Sequence, residues 1–276
     1  MQKLIIILFM ICMLVSTDSF GQQISTYQIG TTDLFCADSP DEQAICVGGA
    51  GGIWRSSDAG VSWTQRVVVS ELVGEMKFFG QTGYATSVNG GPQYNIDVLK
   101  TVNGGLNWAV CYTTPDSIRF SRLFVKSENE IFTNFAGAPW GRPSQLYRST
   151  DGGITWNVVF EVYIYAFQGV TGDNEENIFV NGSQYFSSED LVNWVWHISP
   201  VSFPFSNTTY ANNRLYVGGD IFQSNSFYPL VAYSTNKGET WTNYVFPDSG
   251  QCNNMDFASN GNGYVVGSTR YINYDL

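Results

Sequence analysis

Short runs of apolar and β-branched residues recur along the chain in pairs, each pair joined by a turn rich in Asn, Asp, Gly or Ser. Runs this short, bounded by turn-forming residues, are typical of β-strands. Six pairs can be read: 33–36 with 44–49, 76–79 with 83–86, 122–125 with 130–133, and pairs that end at 178–182, 215–219 and 264–267. The pattern therefore predicts an all-β chain of paired short strands.

A second pattern lies between the pairs: a hydroxyl residue, then Asp or Asn, then Gly, then Trp, spaced S/T-x-D/N-x-G-x-x-W. Four copies occupy 56–63, 101–108, 149–156 and 234–241, and a fifth at 187–194 keeps the hydroxyl and the tryptophan but lacks the glycine. A unit that recurs every ~40–50 residues is typical of solenoids and propellers. Apolar runs flank the motif, such as 145–148 and 155–159 around the third copy, so each period predicts four strands.

Four antiparallel strands per period predict the blade of a β-propeller. The expected fold is a single all-β propeller of four-stranded antiparallel blades over residues 22–276. Six strand pairs predict six blades, with an N-terminal strand at 24–29 closing the ring. Seven blades are expected instead if the sequence is truncated, because residues 272–276 fall inside what would be a sixth turn.

The repeated motif is predicted to be a structural fastener. Its hydroxyl and carboxyl side chains can hydrogen-bond nearby backbone, its glycine adopts conformations costly for other residues, and its tryptophan can bury a large ring on the neighbouring sheet. A catalytic group is not needed five times, and Asn103 and Asn236 replace the acid in two copies. The residues given this role are Ser56, Asp58, Gly60, Trp63, Asn103, Gly105, Trp108, Ser149, Asp151, Gly153, Trp156, Trp194, Ser234, Asn236, Gly238 and Trp241.

On these spaced copies, the chain resembles the Asp-box, or bacterial neuraminidase repeat, propellers. That group includes sialidases, xyloglucan-degrading hydrolases, the sortilin ectodomain and photosystem II stability factors. The resemblance covers nearly all of 22–276 and implies a propeller with its boxes on the periphery, away from the active-site face. Sialidases hold the substrate carboxylate with three arginines, the first before the first box. Here no arginine precedes Arg55, which disfavours a sialidase, and the xyloglucan hydrolases have two propellers.

Residues 1–21 are predicted to form a secretory signal peptide. Lys3 precedes the apolar run 4–15, and the small residues Ser19 and Gly21 give the usual cleavage spacing. The run is too short for a comfortable membrane span. The mature chain is therefore expected to be secreted, in the periplasm or outside a Gram-negative cell, without membrane insertion.

Charge and chemistry narrow the function classes. The formal net charge of the 276-residue chain is −11 and no Lys/Arg run occurs, which argues against nucleic acid as a partner. No His/Cys cluster has zinc spacing, the glycine-rich segment 48–52 precedes no helix pattern, and the single histidine, His197, is expected to pack on an outer strand. We therefore expect no metal, no cofactor and no catalytic residue. Cys36 and Cys46 flank a turn, so they form either a disulfide or two buried thiols.

Three connections between the second and third strands are long: 88–97, 136–144 and 220–229. Extra loop length often carries function. Aromatic rings beside polar groups suit recognition of a sugar or a peptide, although the rings could instead fill the central channel. The candidate ligand-binding residues are Tyr94, Asp97, Trp140, Arg142, Asp220, Phe222 and Tyr228.

These features predict a secreted, non-catalytic propeller that binds a glycan or a protein partner, or acts as an assembly factor. The alternative is a glycoside hydrolase, either sialidase-like or with paired carboxylates. Asp97, Asp220 and Glu71 are the candidate acids for that alternative. The sequence is compatible with any oligomeric state.

Overall fold

The computed structural model describes residues 33–88, 95–115, 120–135, 143–163, 167–173, 175–182, 184–198, 207–257 and 263–268. Within these ranges all regular secondary structure is β-strand, and no helix is present. It follows that no helix in the described ranges could cross a bilayer. The predicted all-β class is confirmed.

Twenty strands are described, and they are short because polar or glycine-containing turns interrupt the apolar runs. In chain order they are β1 (Leu34–Asp38), β2 (Ile45–Ser56), β3 (Thr64–Phe79), β4 (Thr82–Val88), β5 (Ile96–Thr101), β6 (Ala109–Thr113), β7 (Phe120–Val125), β8 (Ile131–Phe135), β9 (Ser144–Ser149), β10 (Asn157–Val162), β11 (Gly169–Gly172), β12 (Ile178–Asn181), β13 (Tyr185–Ser188), β14 (Val195–His197), β15 (Asn207–Ala211), β16 (Arg214–Gln223), β17 (Ser226–Ser234), β18 (Thr242–Val245), β19 (Gln251–Phe257) and β20 (Gly263–Ser268).

The strands form antiparallel meanders in which each strand pairs with its sequence neighbour. Three sheets have four strands each, in the orders β7 to β10, β11 to β14 and β15 to β18. The strands β3 to β6 make the same four-strand meander within a six-stranded sheet, and β19 pairs with β20. The predicted four-stranded antiparallel unit is therefore confirmed.

The first sheet departs from this unit because β2 runs on as one long strand, with no hairpin turn between its two halves. Its first half pairs with β1 and its second half, from Ala50, pairs with β3. Glycines allow the close approach: a Cβ at Gly49 would lie 2.2 Å from the Asp33 carbonyl oxygen, and one at Gly52 would lie 1.9 Å from that of Val67. In the glycine-rich segment 48–52, the backbones of β3 and of Asp33 before β1 therefore approach β2 too closely for a side chain at Gly49 or Gly52.

The chain divides into two compact units, each with its own apolar interior. Unit 1 comprises residues 1–119, 127–130 and 150–155, and unit 2 comprises residues 120–126, 131–149 and 156–276. The interior of unit 1 includes Cys46, Ile53, Val73, Met76, Ala85 and Leu99. The main cluster of unit 2 includes Phe132, Leu146, Phe167, Val170, Ile178, Val180 and Phe186.

Of the two possibilities for Cys36 and Cys46, the structure contains free thiols. The expected hairpin forms, but its register pairs Cys36 with Gly48 and Cys46 with Asp38. The two cysteines are therefore offset rather than opposite, which does not suit a bridge. Burial raises the pKa of the Cys46 thiol to about 12, so it stays protonated.

Two parts of the propeller prediction lie outside the described residues. They are the closing strand at 24–29 and the final segment 272–276. The number of blades and the way the ring closes therefore stay predictions.

Candidate functional site

The first copy of the repeated motif is a turn that hydrogen-bonds to itself. The Ser56 hydroxyl donates to Asp58 Oδ1 at 2.7 Å and accepts from the Gly60 N–H at 2.8 Å. Asp58 also accepts from the Ser62 N–H at 2.9 Å and from the Ser62 hydroxyl at 2.6 Å. The Trp63 indole donates to the Gly60 carbonyl at 2.9 Å. The side-chain polar groups of Ser56, Asp58 and Trp63 therefore all form hydrogen bonds inside the turn itself.

Asparagine supports the same geometry in two other copies. The Thr101 hydroxyl lies 3.0 Å from Asn103 Oδ1, and it accepts from the Gly105 N–H at 3.1 Å. Equivalent bonds join Ser234, Asn236, Gly238 and Thr240. In the third copy, Asp151 accepts from the Thr155 N–H at 2.9 Å and the Thr155 hydroxyl at 2.6 Å. Because an asparagine oxygen accepts the same turn bonds as a carboxylate, the group has a hydrogen-bonding role and not an acid–base one.

The electrostatics of Asp58 agree with that role. Hydrogen bonds from the Ser62 side chain, the Ser62 backbone and the Ser56 side chain lower the pKa of Asp58 to about 2. A carboxyl group this acidic is ionised at neutral pH and holds no proton to donate to a substrate. It is an acceptor for the turn.

The copy at 187–194, which lacks the glycine, is one residue shorter than the sequence alignment suggested. Its hydroxyl is Ser188 and not Ser187, and its acid is Asp190: the Ser188 hydroxyl accepts from the Leu191 N–H at 2.9 Å. Asp190 accepts from the Asn193 N–H at 2.7 Å. Leu191 takes the left-handed conformation, with φ of 60°, where other copies have glycine. The adjacent Ser-Ser and Glu-Asp pairs hid this register.

Each motif glycine with a described contact lies against side chains that precede its motif along the chain. A Cβ at Gly105 would lie 2.4 Å from Cys46 Sγ, and a Cβ at Gly238 would lie 2.4 Å from Tyr185 Cε1. The Trp241 ring meets the Tyr185 ring edge-on with centroids 5.5 Å apart. The motif therefore packs where a larger residue does not fit.

Polar links join successive motifs within unit 1. The Arg55 Nε donates to the Gly104 carbonyl at 2.6 Å, and the Lys100 ammonium lies 3.4 Å from the Gly152 carbonyl. Arg55 and Lys100 each immediately precede the hydroxyl of one motif and reach the next motif along the chain. Tyr84 adds a bond from its hydroxyl to the Glu128 carbonyl at 2.7 Å. The Lys100 and Tyr84 bonds reach turns that lie between β7 and β10, whereas the Arg55 bond lies within the six-stranded sheet.

The segment 220–229, expected to be a loop, is an extension of the β16–β17 hairpin. The ladder continues through Asp220↔Pro229 and Phe222↔Phe227 to Gln223↔Ser226. The two residues at the tip, Ser224 and Asn225, have φ of 51° and 60°, as a type I′ turn requires. The prediction of a loop was wrong here because Pro229 and the polar tip masked a two-residue hairpin turn.

This extension, which we call the ribbon (residues 220–229), presents an aromatic pair. Phe222 and Phe227 pack with ring centroids 5.0 Å apart, and Phe222 is 51% exposed. Asp220 is buried and accepts a 2.7 Å bond from the Cys252 N–H of β19. Tyr228 lies opposite Ile221 and is half-buried. The ribbon is thus anchored at its base and exposed near its tip.

Of the other candidate ligand residues, Asp97 is the one that the structure describes. Asp97 lies on β5 in unit 1 and accepts a 2.6 Å bond from the Thr113 hydroxyl. Tyr94, Trp140 and Arg142 lie outside the described residues, as does the side chain of Glu71. Phe227 is not among the candidate ligand residues chosen from sequence; its position across from Phe222 depends on the hairpin register.

His197 lies on β14 as expected for an outer strand. Its Nε2 is 2.7 Å from the Ser187 hydroxyl, and its ring lies 5.1 Å from that of Tyr185. Burial lowers its pKa below the ordinary value. The histidine therefore packs as a neutral ring against β13.

Repeated four-stranded antiparallel meanders define the chain as a β-propeller protein. No protein-family model matches the chain, and no curated protein matches it. The chain is similar to solved structures, and because the sequence identities are 13–16%, this similarity establishes the fold alone.

One similar structure is YCF48 bound to a D1 peptide, with a TM-score of 0.55 and 16% identity over 86% of this chain and 91% of that one. Another is from a nidogen/laminin complex, with a TM-score of 0.51 and 13% identity over 71% of this chain and 74% of that one. In both, a propeller-type chain is seen with a peptide or protein partner.

The GH74 enzyme of Niastella koreensis is also similar, with a TM-score of 0.57 and 16% identity over 78% of this chain. The match spans only 38% of that enzyme. The propeller fold is therefore shared by binding proteins and a glycoside hydrolase, and function must be argued from the site.

Proposed function

We propose that this chain is an exported, non-catalytic Asp-box propeller that binds a protein partner, in the manner of an assembly factor. The observation that carries the proposal is the aromatic pair Phe222 and Phe227 on the ordered ribbon. Exposed aromatic side chains in a defined position are the anchors that dominate many protein interfaces.

The ribbon is suited to binding because its geometry is fixed before a partner arrives. Its strands pair out to the tip, and the Gly250 N–H donates to the Phe227 carbonyl at 2.8 Å. The Asp220 bond to Cys252 ties its base to β19. A preorganised surface loses less conformational entropy on association than a flexible loop does.

Two of the similar structures support a protein partner. YCF48 is seen with a D1 peptide and the nidogen/laminin chain with a protein. The acids of the hydrolase alternative are less favourable, since Asp220 is buried and bound to backbone and Asp97 accepts a bond from the Thr113 hydroxyl. A binding role uses the ribbon without requiring either acid to titrate.

Export is part of the same proposal and rests on the signal-like residues 1–21. Mass spectrometry of the protein recovered from a Gram-negative host should show a mature chain beginning at Gln22 or Gln23. An intact N-terminus in the cytoplasmic fraction would contradict export without touching the binding proposal.

The binding proposal is tested with a phage-displayed peptide library and a glycan array, each probed with three proteins. They are the wild type, Phe222→Ser, and the control Tyr244→Ser, whose ring on β18 is 61% exposed. We expect peptide ligands that lose at least about tenfold in affinity with Phe222→Ser and are unchanged by the control, a loss equal to about 1.4 kcal/mol.

Other outcomes overturn the proposal. Hits confined to the glycan array would make the ligand a sugar, and peptide hits indifferent to Phe222→Ser would place the site elsewhere. Turnover of a panel of fluorogenic glycosides by the wild type would assign a hydrolase. All three proteins should have the same melting temperature, since Phe222 is exposed.

A further inference from the structure

The segment 246–250 runs along one side of the ribbon and is bonded to it at both ends. Its first N–H donates to the Pro229 carbonyl at 2.9 Å, and its last N–H donates to the Phe227 carbonyl at 2.8 Å. These two carbonyls are two residues apart on β17. The part of the segment between the two bonds therefore lies beside Tyr228 of the ribbon.

Asp248 occupies the bend at the middle of this segment and is exposed to solvent. Pro247 precedes it, and the proline ring fixes one backbone dihedral angle of the bend. The carboxylate is therefore displayed from a backbone that is tied to the ribbon on both sides. The ribbon also carries Phe222, which is 51% exposed and packs on Phe227 with ring centroids 5.0 Å apart. An exposed acid thus accompanies the aromatic pair.

The strands around the ribbon carry more negative than positive charge. From residue 215 to residue 268 the chain has one cation, Lys237, against four acids, a formal charge of −3. Lys237 is engaged elsewhere, because its ammonium pairs with Glu189 at 2.7 Å. An uneven charge of this kind attracts a partner of the opposite sign and discriminates against one of the same sign. The acids are Asp220, Glu239, Asp248 and Asp256.

We propose that the ribbon selects a basic peptide segment, in which an apolar side chain packs on Phe222 and Phe227 and a Lys or Arg side chain pairs with Asp248. The inference rests on the proposed protein-binding function and names the chemistry of the partner. Side chains two residues apart in an extended peptide lie about 7 Å apart on one face, so one short segment supplies both groups. The faces of exposed aromatic rings also attract cations, so the aromatic pair and the carboxylate favour the same ligand.

Two phage-displayed peptide libraries test this, one with a fixed Phe-x-Lys and the other with a fixed Phe-x-Glu, each selected against the wild-type protein. We expect the tighter binders to come from the Phe-x-Lys library. Their affinity should fall as the NaCl concentration rises, because salt screens the charge pair. Asp248→Asn should weaken them about two- to fivefold. Asp248→Lys should weaken them about tenfold or more, because repulsion replaces attraction, and Asp248→Glu should preserve binding.

Asp256→Lys is the matched control, because it makes the same charge change at another exposed acid. Asp256 adjoins Phe257, whose ring stacks on that of Tyr216 with centroids 3.8 Å apart, at the end of β16 away from the ribbon tip. This variant should bind the selected peptides like the wild type. The variants at both acids should keep the wild-type melting temperature, since both side chains are exposed.

The outcomes separate this inference from the proposed function. Binders that require Phe222 but come equally from both libraries, or that are indifferent to Asp248→Lys, overturn the inference and leave the proposed function standing. Equal losses with Asp256→Lys and Asp248→Lys make the effect one of net charge and also overturn it. Peptides that bind Phe222→Ser as well as the wild type, or an absence of binders from both libraries, overturn the proposed function together with the inference.

Discussion

Replacing Gly238 with alanine should destabilise the protein far more than the size of one methyl group suggests. The added Cβ would lie 2.4 Å from Cε1 of Tyr185, well inside van der Waals contact. Tyr185 cannot move aside easily, because it is fully buried and packed against the rings of Phe179 and Trp241. Forcing an extra carbon into such a site typically costs about 1–3 kcal/mol.

Backbone strain adds to that loss. Gly238 has φ of 93°, and positive φ costs an L-residue roughly 1–2 kcal/mol. The sum is a loss of about 2–5 kcal/mol in the free energy of unfolding. Gly80→Ala is the control, because Gly80 has φ of 56° with nothing within 4 Å of its Cβ position. It should lose only the strain, about 1–2 kcal/mol.

Urea unfolding followed by tryptophan fluorescence and circular dichroism measures both losses. A double-mutant cycle with Tyr185→Leu then isolates the contact, since shortening that side chain should reduce the penalty of Gly238→Ala towards that of Gly80→Ala. Equal losses for the two glycine variants, or no coupling to Tyr185→Leu, would refute the view that the motif glycine packs a sheet contact.

Three further predictions concern other parts of the turns. Asp58→Asn should lower the free energy of unfolding at neutral pH. The gap between wild type and variant should shrink as pH falls from 3.8 towards about 2, because the lowered pKa of Asp58 means that its stabilising effect is lost on protonation. A gap that does not change with pH would contradict this. Asp190→Ala should lower the melting temperature while Glu189→Ala leaves it nearly unchanged, and the reverse would return the copy at 187–194 to its sequence alignment. Ala59→Gly, at φ of 54°, should raise the unfolding free energy by up to about 1 kcal/mol in chemical denaturation, whereas a loss would show that the strain argument is wrong.

The strand pairs and the four-stranded unit could be predicted because alternation and turn residues are local signals. The topology of the first sheet could not be predicted. The continuous strand β2 depends on close backbone contacts at Gly49 and Gly52, and the spacing of residues in the sequence does not reveal these contacts. The register predicted for the copy at 187–194 was wrong for a related reason: Ser187 and Ser188 are chemically equivalent, and only the hydrogen bonds distinguish them.

The candidate site was only partly accessible from sequence. Aromatic content drew attention to 220–229, and the structure shows that Asp220 anchors the ribbon through the Cys252 N–H. The pairing of Phe222 with Phe227 follows from a hairpin register set by positive φ at Ser224 and Asn225. Non-glycine residues with positive φ are uncommon enough that a sequence pattern seldom reveals them.

Amide hydrogen exchange at the motif glycines tests the fastener account most directly. The N–H groups of Gly60, Gly105 and Gly238 each donate to a buried hydroxyl of their own motif. If the motifs hold the sheets together, these amides should exchange only with global unfolding, as slowly as the central strands. Exchange as fast as that of Asn225 at the exposed ribbon tip would contradict the account.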